Sequence, residues 1–220
     1  MTTSTAVNRK DVSIFTSECV LLRSRYIHFR ILFETGDDRK ELLSLVAPIF
    51  FGDIYATLRD TIIGNVCRLT DPEESRGDKN LTVKFLVNNS DFSGDPKTAK
   101  RVGKLNEQLH VMRQRLVPAR HKRIAHFDRL AAHSRVNLGK ATPRQWEQFW
   151  LDLAEFVAIF NARYVSKTIP FQLDDIGLIS DADSLIKALQ ESTYFHEFAA
   201  DPKLSTRCLD VALSSKYSNA

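Results

Sequence analysis

Between residues 12 and 33 the apolar side chains fall at Val12, Phe15, Cys19, Leu22, Tyr26, Phe29 and Phe33, in alternating steps of three and four. That spacing gathers all seven on one stripe of an α-helix and would scatter them over both faces of a strand. The same period continues through Leu42, Val46, Ile49, Phe50, Ile54, Leu58, Ile62, Val66 and Leu69. With 8 Gly and 7 Pro in 220 residues, turn residues are too scarce for a succession of short strands. The expected fold is all-α, a helical bundle of about five to six helices.

Local signals set the boundaries. The first helix is expected to stop at Gly36 and the second to begin near Asp38, with Pro48 as a kink or restart and Thr70-Asp71-Pro72 as its end. Residues 75–79 read as a polar loop, and Asn80 as the cap of a short helix through Leu86. A basic helix follows over Lys97–Leu116, with Leu105, Leu109, Met112 and Leu116 inward. Pro118 fits the first turn of a new segment. That placement would set Arg120 and His121 near a helix N-terminus, where free N–H groups favour an anion. After a loop over 129–141, Thr142-Pro143-Arg144-Gln145 forms a capping box with proline in first helical position. The helix it opens turns Trp146, Phe149, Trp150, Leu153, Val157, Phe160 and Tyr164 inward, and a last helix spans about Asp183 to Phe198. The expected organisation is a flexible N-terminus over 1–10, a single helical domain over 11–200 and a polar tail over 201–220. The apolar stripes read as core or as a homodimer seam before they read as docking faces for a foreign helix.

The three cysteines, Cys19, Cys67 and Cys208, lie far apart without a CxxC pair, which excludes a disulfide framework and an all-cysteine zinc site. The N-terminal residues have no apolar signal core, and the longest apolar run, around Leu45–Phe51, is too short to span a bilayer. A cytoplasmic protein without a membrane partner is expected. The net charge of +4 conceals an asymmetry. Residues 96–135 carry eleven Lys and Arg against Glu107 and Asp128, a balance of +9, so the rest of the chain stands at −5. His110, His121, His126 and His133 lie in the same window. A basic segment in an otherwise acidic chain is the footprint of a polyanion site; the alternative is a solvated helix face with acidic neighbours in the fold. Phe127 is the one Phe, Tyr or Trp in the window, so base stacking is a minor expectation.

Within that window, residues 119–128 read Ala-Arg-His-Lys-Arg-Ile-Ala-His-Phe-Asp. Histidine exchanges protons near neutral pH and guanidinium groups clamp phosphate oxygens, which are the parts needed to cleave RNA without a metal or other cofactor. An arginine four to six residues before a histidine occurs four times, at Arg23–His28, Arg115–His121, Arg120–His126 and Arg129–His133. Of these, Arg120 alone is followed by a residue of the Asn, Asp or His type. Structural alternatives stand beside this reading. Arg120 can be a helix-terminal ion pair, with Asp71 as partner, and His126 a satisfied interface histidine. Arg68 to Pro72 reads as a helix end and turn. Asp71, Glu73 and Glu74 read as solvated acids of a polar loop before they read as metal ligands.

Arg120-His121-x-x-x-x-His126 resembles the signature of the HEPN superfamily of helical ribonucleases and RNA-binding proteins. More narrowly, residues 120–128 are similar to the abortive-infection AbiU-like branch, as are Ala47-Pro48-Ile49-Phe50-Phe51, Arg68-Leu69-Thr70-Asp71-Pro72 and Asn80-Leu81-Thr82. The resemblance covers roughly residues 10–165. It implies a helical bundle, a homodimer that brings two signature helices together, and metal-independent endoribonuclease activity in phage defence or a toxin–antitoxin-like setting. It also admits a catalytically inactive module that binds RNA, a nucleotide or a protein partner such as an antitoxin. Where the branch often has Asp after the arginine, this chain has His121.

Residue chemistry assigns roles within that frame. RNA is cut by its own 2′-hydroxyl when a base removes that proton and an acid protonates the leaving 5′-oxygen. His126 suits one of those transfers, and Arg120 would neutralise the charge that gathers on the phosphate oxygens. His121 would orient the phosphate or supply the second transfer. Lys122 and Arg123 would hold flanking phosphates, and Asp128 would fix a histidine tautomer or an arginine rotamer. Six residues of α-helix rise about 9 Å, which sets Arg120 and His126 of one chain awkwardly for a single phosphate. Pairing across a two-fold dimer would solve this.

Overall fold

A computed structural model of the chain describes residues 6–75, 77–125, 141–165 and 179–200, with backbone alone at 123, 125, 179, 180 and 194–200. Helix α1 spans Arg9–Phe33. Asn8 opens it, its side-chain oxygen accepting from the amides of Lys10 at 2.8 Å and Asp11 at 3.2 Å, while its own amide donates to the Asp11 carboxylate. Gly36, at φ +109°, turns the chain into α2, Asp37–Val46, and Pro48 opens α3, Pro48–Leu69. Pro48 is therefore a restart, because its missing N–H costs nothing in a first turn. Two-residue strands β1, Glu74–Ser75, and β2, Asp78–Lys79, then pair antiparallel, with Glu74 opposite Lys79. A small hairpin thus occupies the segment expected as loop.

Helix α4 spans Val83–Asn89 and its cap is Thr82, whose hydroxyl accepts from the Phe85 amide at 3.2 Å. Asn80, expected in that role, instead donates its side-chain amide to the Pro72 carbonyl at 3.2 Å and ties the hairpin down. Asp95 caps α5, Pro96–Ala119. Thr142 and Gln145 form the expected capping box at the head of α6, Pro143–Tyr164, and α7 spans Ile179–Ala200. Among the described residues the fold is all-α apart from the hairpin, with seven α-helices; the restart at Pro48 divides in two the stretch from Asp38 to Leu69.

The described residues form two compact units. The first draws on Met1–Ile27 and Ala56–Leu178. Its core holds Phe15, Leu22, Val66, Leu86, Leu105, Leu109, Leu153, Phe156 and Phe160, all essentially inaccessible. Each such side chain contributes roughly 1.5–3 kcal/mol by leaving water. Phe15 meets Phe156 edge-on at 6.0 Å, Thr16 donates to Asn161 at 3.3 Å, and Arg101 pairs with Glu155, so α6 lies against both α1 and α5. The second unit draws on His28–Tyr55 and Ile179–Ala220. Leu32, Leu43, Phe51, Ala182 and Ile186 make its core, and Arg39 bridges α2 to Asp183 of α7 at 2.9 Å. No described helix is long and apolar enough to cross a membrane.

Candidate nucleic-acid site

Helix α5 does not stop before the basic run. It continues through Pro118 to Ala119 and then winds as a π-helix over Arg120–Ala125. The expectation that Pro118 starts a new segment, with Arg120 and His121 at a free N-terminus, is overturned: the Arg120 amide donates to the carbonyls of Leu116 and Val117. The physical reason is burial. Val102, Leu105, Leu109, Met112, Leu116 and Ala119 are all inaccessible, and this continuous apolar seam carries the helix past a residue that would break an exposed one. Pro118 still removes one backbone donor and crowds the carbonyl four residues earlier, and the wider π winding follows directly after it. With i to i+5 bonding, the rise expected of an α-helix no longer applies over the described part of the run.

Arg120 is held from a different helix. Asp71 lies just beyond the end of α3, where Thr70 closes the last turn by donating its hydroxyl to the Val66 carbonyl at 2.6 Å. The Asp71 Oδ1 atom accepts from Arg120 Nη1 at 2.8 Å and from Arg113 at 2.9 Å through Nη2 and 3.2 Å through Nε. The Asp71 and Arg113 side chains are 16% and 18% exposed, and that of Arg120 31%. One carboxylate thus joins two guanidinium groups in a part-buried place, a node of charge +1. Arg120 does make the ion pair that was the structural alternative for it, and it shares that partner. Arg113 escaped the sequence reading. Its signal is its place seven residues, two helical turns, before Arg120, which puts both on one face of α5.

The neighbours of the node define its chemistry. Burial raises the Cys67 thiol to about 11, an effect that Arg120 and Arg113 counter and Asp71 reinforces. Cys67 is therefore protonated at neutral pH and is no nucleophile. One turn before Arg113, His110 has its pKa lowered by partial burial first, then by Arg113 and Lys84. It lines a groove of about 350 Å³ with Lys84, Asn106, Glu107, Val111 and Gln114. His110 and Lys84 are both exposed, so the groove opens an imidazole and one cationic group, Lys84, to solvent beside the node. Arg68 turns away and pairs with Glu18. Glu73 accepts from Asn88 at 3.1 Å and from Asn89 at 3.3 Å, so it braces the hairpin against α4.

His121 and Lys122 stand exposed on the π turn next to Arg120. The backbone of Arg123 belongs to the same turn, while its side chain lies outside the described residues, as do His126 and Asp128 entirely. The structure therefore gathers Arg120, His121 and Lys122 on one turn and adds Asp71 and Arg113 to them.

No curated protein and no solved structure matches the chain. A family does: the HEPN_AbiU2 family, described as AbiU2, matches residues 11–190. The match extends beyond residue 165, where the motif resemblance ends, and takes in the described part of α7 up to residue 190. The all-α fold and a family match over most of the length agree, and the chain belongs to the AbiU2 branch of the HEPN proteins.

Proposed function

We propose that this HEPN domain is an endoribonuclease that works without a metal or other cofactor, acting in the cytoplasm in abortive phage defence or a toxin–antitoxin-like system. The observation that carries the reading is the anchored Arg120. Its guanidinium is oriented by Asp71, lies beside a second guanidinium, and is followed on the same turn by exposed His121 and Lys122. A fixed fork of N–H donors in a node of charge +1 suits the non-bridging oxygens of a phosphodiester.

In this mechanism one histidine, His126 or His121, takes the proton of the 2′-hydroxyl. The 2′-oxygen forms its bond to phosphorus, the bond to the 5′-oxygen breaks, and the other histidine delivers a proton to that leaving oxygen. The products are a 2′,3′-cyclic phosphate and a 5′-hydroxyl end. Arg120 neutralises the charge that develops on phosphorus-bound oxygen, Lys122 and Arg123 hold neighbouring phosphates, and Asp128 orients a histidine or arginine. A homodimer with the signature turns at its seam is part of the proposal. Ile124, apolar and exposed within the basic run, is the kind of residue a seam covers. An antitoxin partner follows from the same logic, since a ribonuclease aimed at cellular RNA needs restraint.

The test is incubation of the protein with end-labelled structured RNA in excess EDTA, beside His126→Ala. Cleavage by the unaltered protein only, leaving cyclic-phosphate ends, is expected. Intact RNA in both lanes at low salt, across several substrates, would overturn the nuclease and leave a binding module.

A further inference from the structure

Two positive groups meet at one carboxylate oxygen in the Asp71–Arg113–Arg120 node, and a plain structural staple would need only one. Asp71 with Arg120 alone would be neutral. Adding Arg113 to the same Oδ1 atom restores a positive charge and brings two like charges close together in a poorly hydrated place, a repulsion that an arriving anion relieves. Two separate elements are committed to this arrangement, the end of α3 through Asp71 and α5 with its π turn through the arginines. The contact from Arg120 uses Nη1 of the five N–H donors on that guanidinium.

We infer that Asp71 and Arg113 are positioning residues that together set the orientation and the charge of Arg120 for an RNA phosphate, with Asp71 keeping the site's affinity below what its arginines alone would give. The inference rests on the reading of Arg120 as the phosphate-binding arginine. Asp71 does two things that oppose each other. It aims the guanidinium, which favours reaction, and it cancels one of two positive charges, which weakens binding. Arg113 keeps Asp71 from neutralising Arg120 completely. RNA bound too tightly in the ground state gains nothing in rate, so a carboxylate that trades affinity for orientation favours turnover.

A charge cycle separates this from a structural staple. Asp71→Asn takes the node from +1 to +2, Arg113→Gln takes it to 0, and the double variant returns it to +1. Binding is read by fluorescence anisotropy with a labelled 2′-O-methyl oligoribonucleotide, which lacks the attacking hydroxyl and stays uncut. Asp71→Asn should bind it several-fold more tightly at low salt, with a salt slope steeper by about 0.7 for the one added phosphate contact. Arg113→Gln should bind several-fold more weakly, and the double variant near the unaltered protein. With cleavable RNA of the same sequence under single-turnover saturation, Asp71→Asn should be slower by roughly tenfold or more, because Arg120 is no longer aimed.

Weaker binding in all three variants, or no change in any, would overturn the inference. If Asp71→Asn loses its helical circular dichroism, Arg113→Gln alone decides, since it must weaken binding and flatten the salt slope. An unaltered protein that cleaves nothing, with the charge order of binding intact, would sink the nuclease reading and the gain in turnover, and leave the setting of charge and affinity by Asp71 and Arg113 standing. Cleavage with the charge order absent would do the reverse.

Discussion

Asp152 is the clearest case at the scale of single residues. It sits on α6 with 5% of its surface exposed, accepting one hydrogen bond from Gln148 at 2.9 Å. Burial raises its carboxyl pKa above the usual 3.8, while Gln148, Arg101 and Lys104 hold it down in part. The linkage has a definite sign. A carboxyl with a raised native pKa contributes stability fully below 3.8 and loses it as pH climbs through the raised value, because the folded state then holds an unfavourable buried charge. Asp152→Asn keeps an acceptor for Gln148 and removes that charge. Its melting temperature should exceed that of the unaltered protein by a few degrees at pH 7 and by much less at pH 4. A gap equal at both values would show that the charge plays no part. Single residues were also where sequence reading was least secure. Thr82 and Asn80 are both competent caps, and only the Pro72 carbonyl lying within reach of Asn80 left the cap to Thr82.

Among the elements, α5 shows how tertiary packing overrides local preference. Proline in a helix interior is unfavourable by about 3 kcal/mol in an exposed setting, and the buried seam from Val102 to Ala119 outweighs it. Pro118→Ala should restore the missing backbone hydrogen bond and raise stability by about 1 kcal/mol or more, read from urea melts. It should also draw the turn after it back toward α-helical winding and move Arg120 off Asp71, so RNA binding at low salt should change along with stability. Greater stability with RNA binding untouched would show that the π turn is independent of the proline. The elements legible from sequence were those governed by neighbours a few residues away. The stripe from Val12 to Phe33, the glycine stop at Gly36 with its φ of +109°, and the Thr142–Gln145 box all appear in place. The mixed fate of α5 has the same origin. Its inward residues were readable from period alone, and its end was not, because the end depends on what packs beyond Leu116.

For the molecule as a whole, the proposed two-fold pairing of signature turns makes a sharp demand. If Arg120 of one protomer serves the same phosphate as His126 of its partner, then Arg120→Ala and His126→Ala are each inactive alone. Mixed after unfolding and refolding together, they form heterodimers in which one of two sites is intact, so about a quarter of full activity should return. No recovery would place both residues in a site within one chain. The π winding bears on this, because the α-helical rise that first motivated a shared site does not describe residues 120–125. The mixing experiment therefore decides between the two arrangements independently of that rise.

The sequence by itself determined that the chain is helical, where most of its helices cap and stop, and which short run concentrates its basic residues and histidines. Each of these depends on residues within a turn or two of one another. It also carried the family, which the match over residues 11–190 bears out. Only the tertiary structure decided that α5 passes through Pro118, that the run after it widens into a π turn, and that Asp71 meets Arg113 and Arg120 from 42 and 49 residues away along the chain. The physical reason is common to all three. Burying an apolar seam and pairing charges in a poorly hydrated place depend on what surrounds a residue in space, and neither is written in the residues beside it.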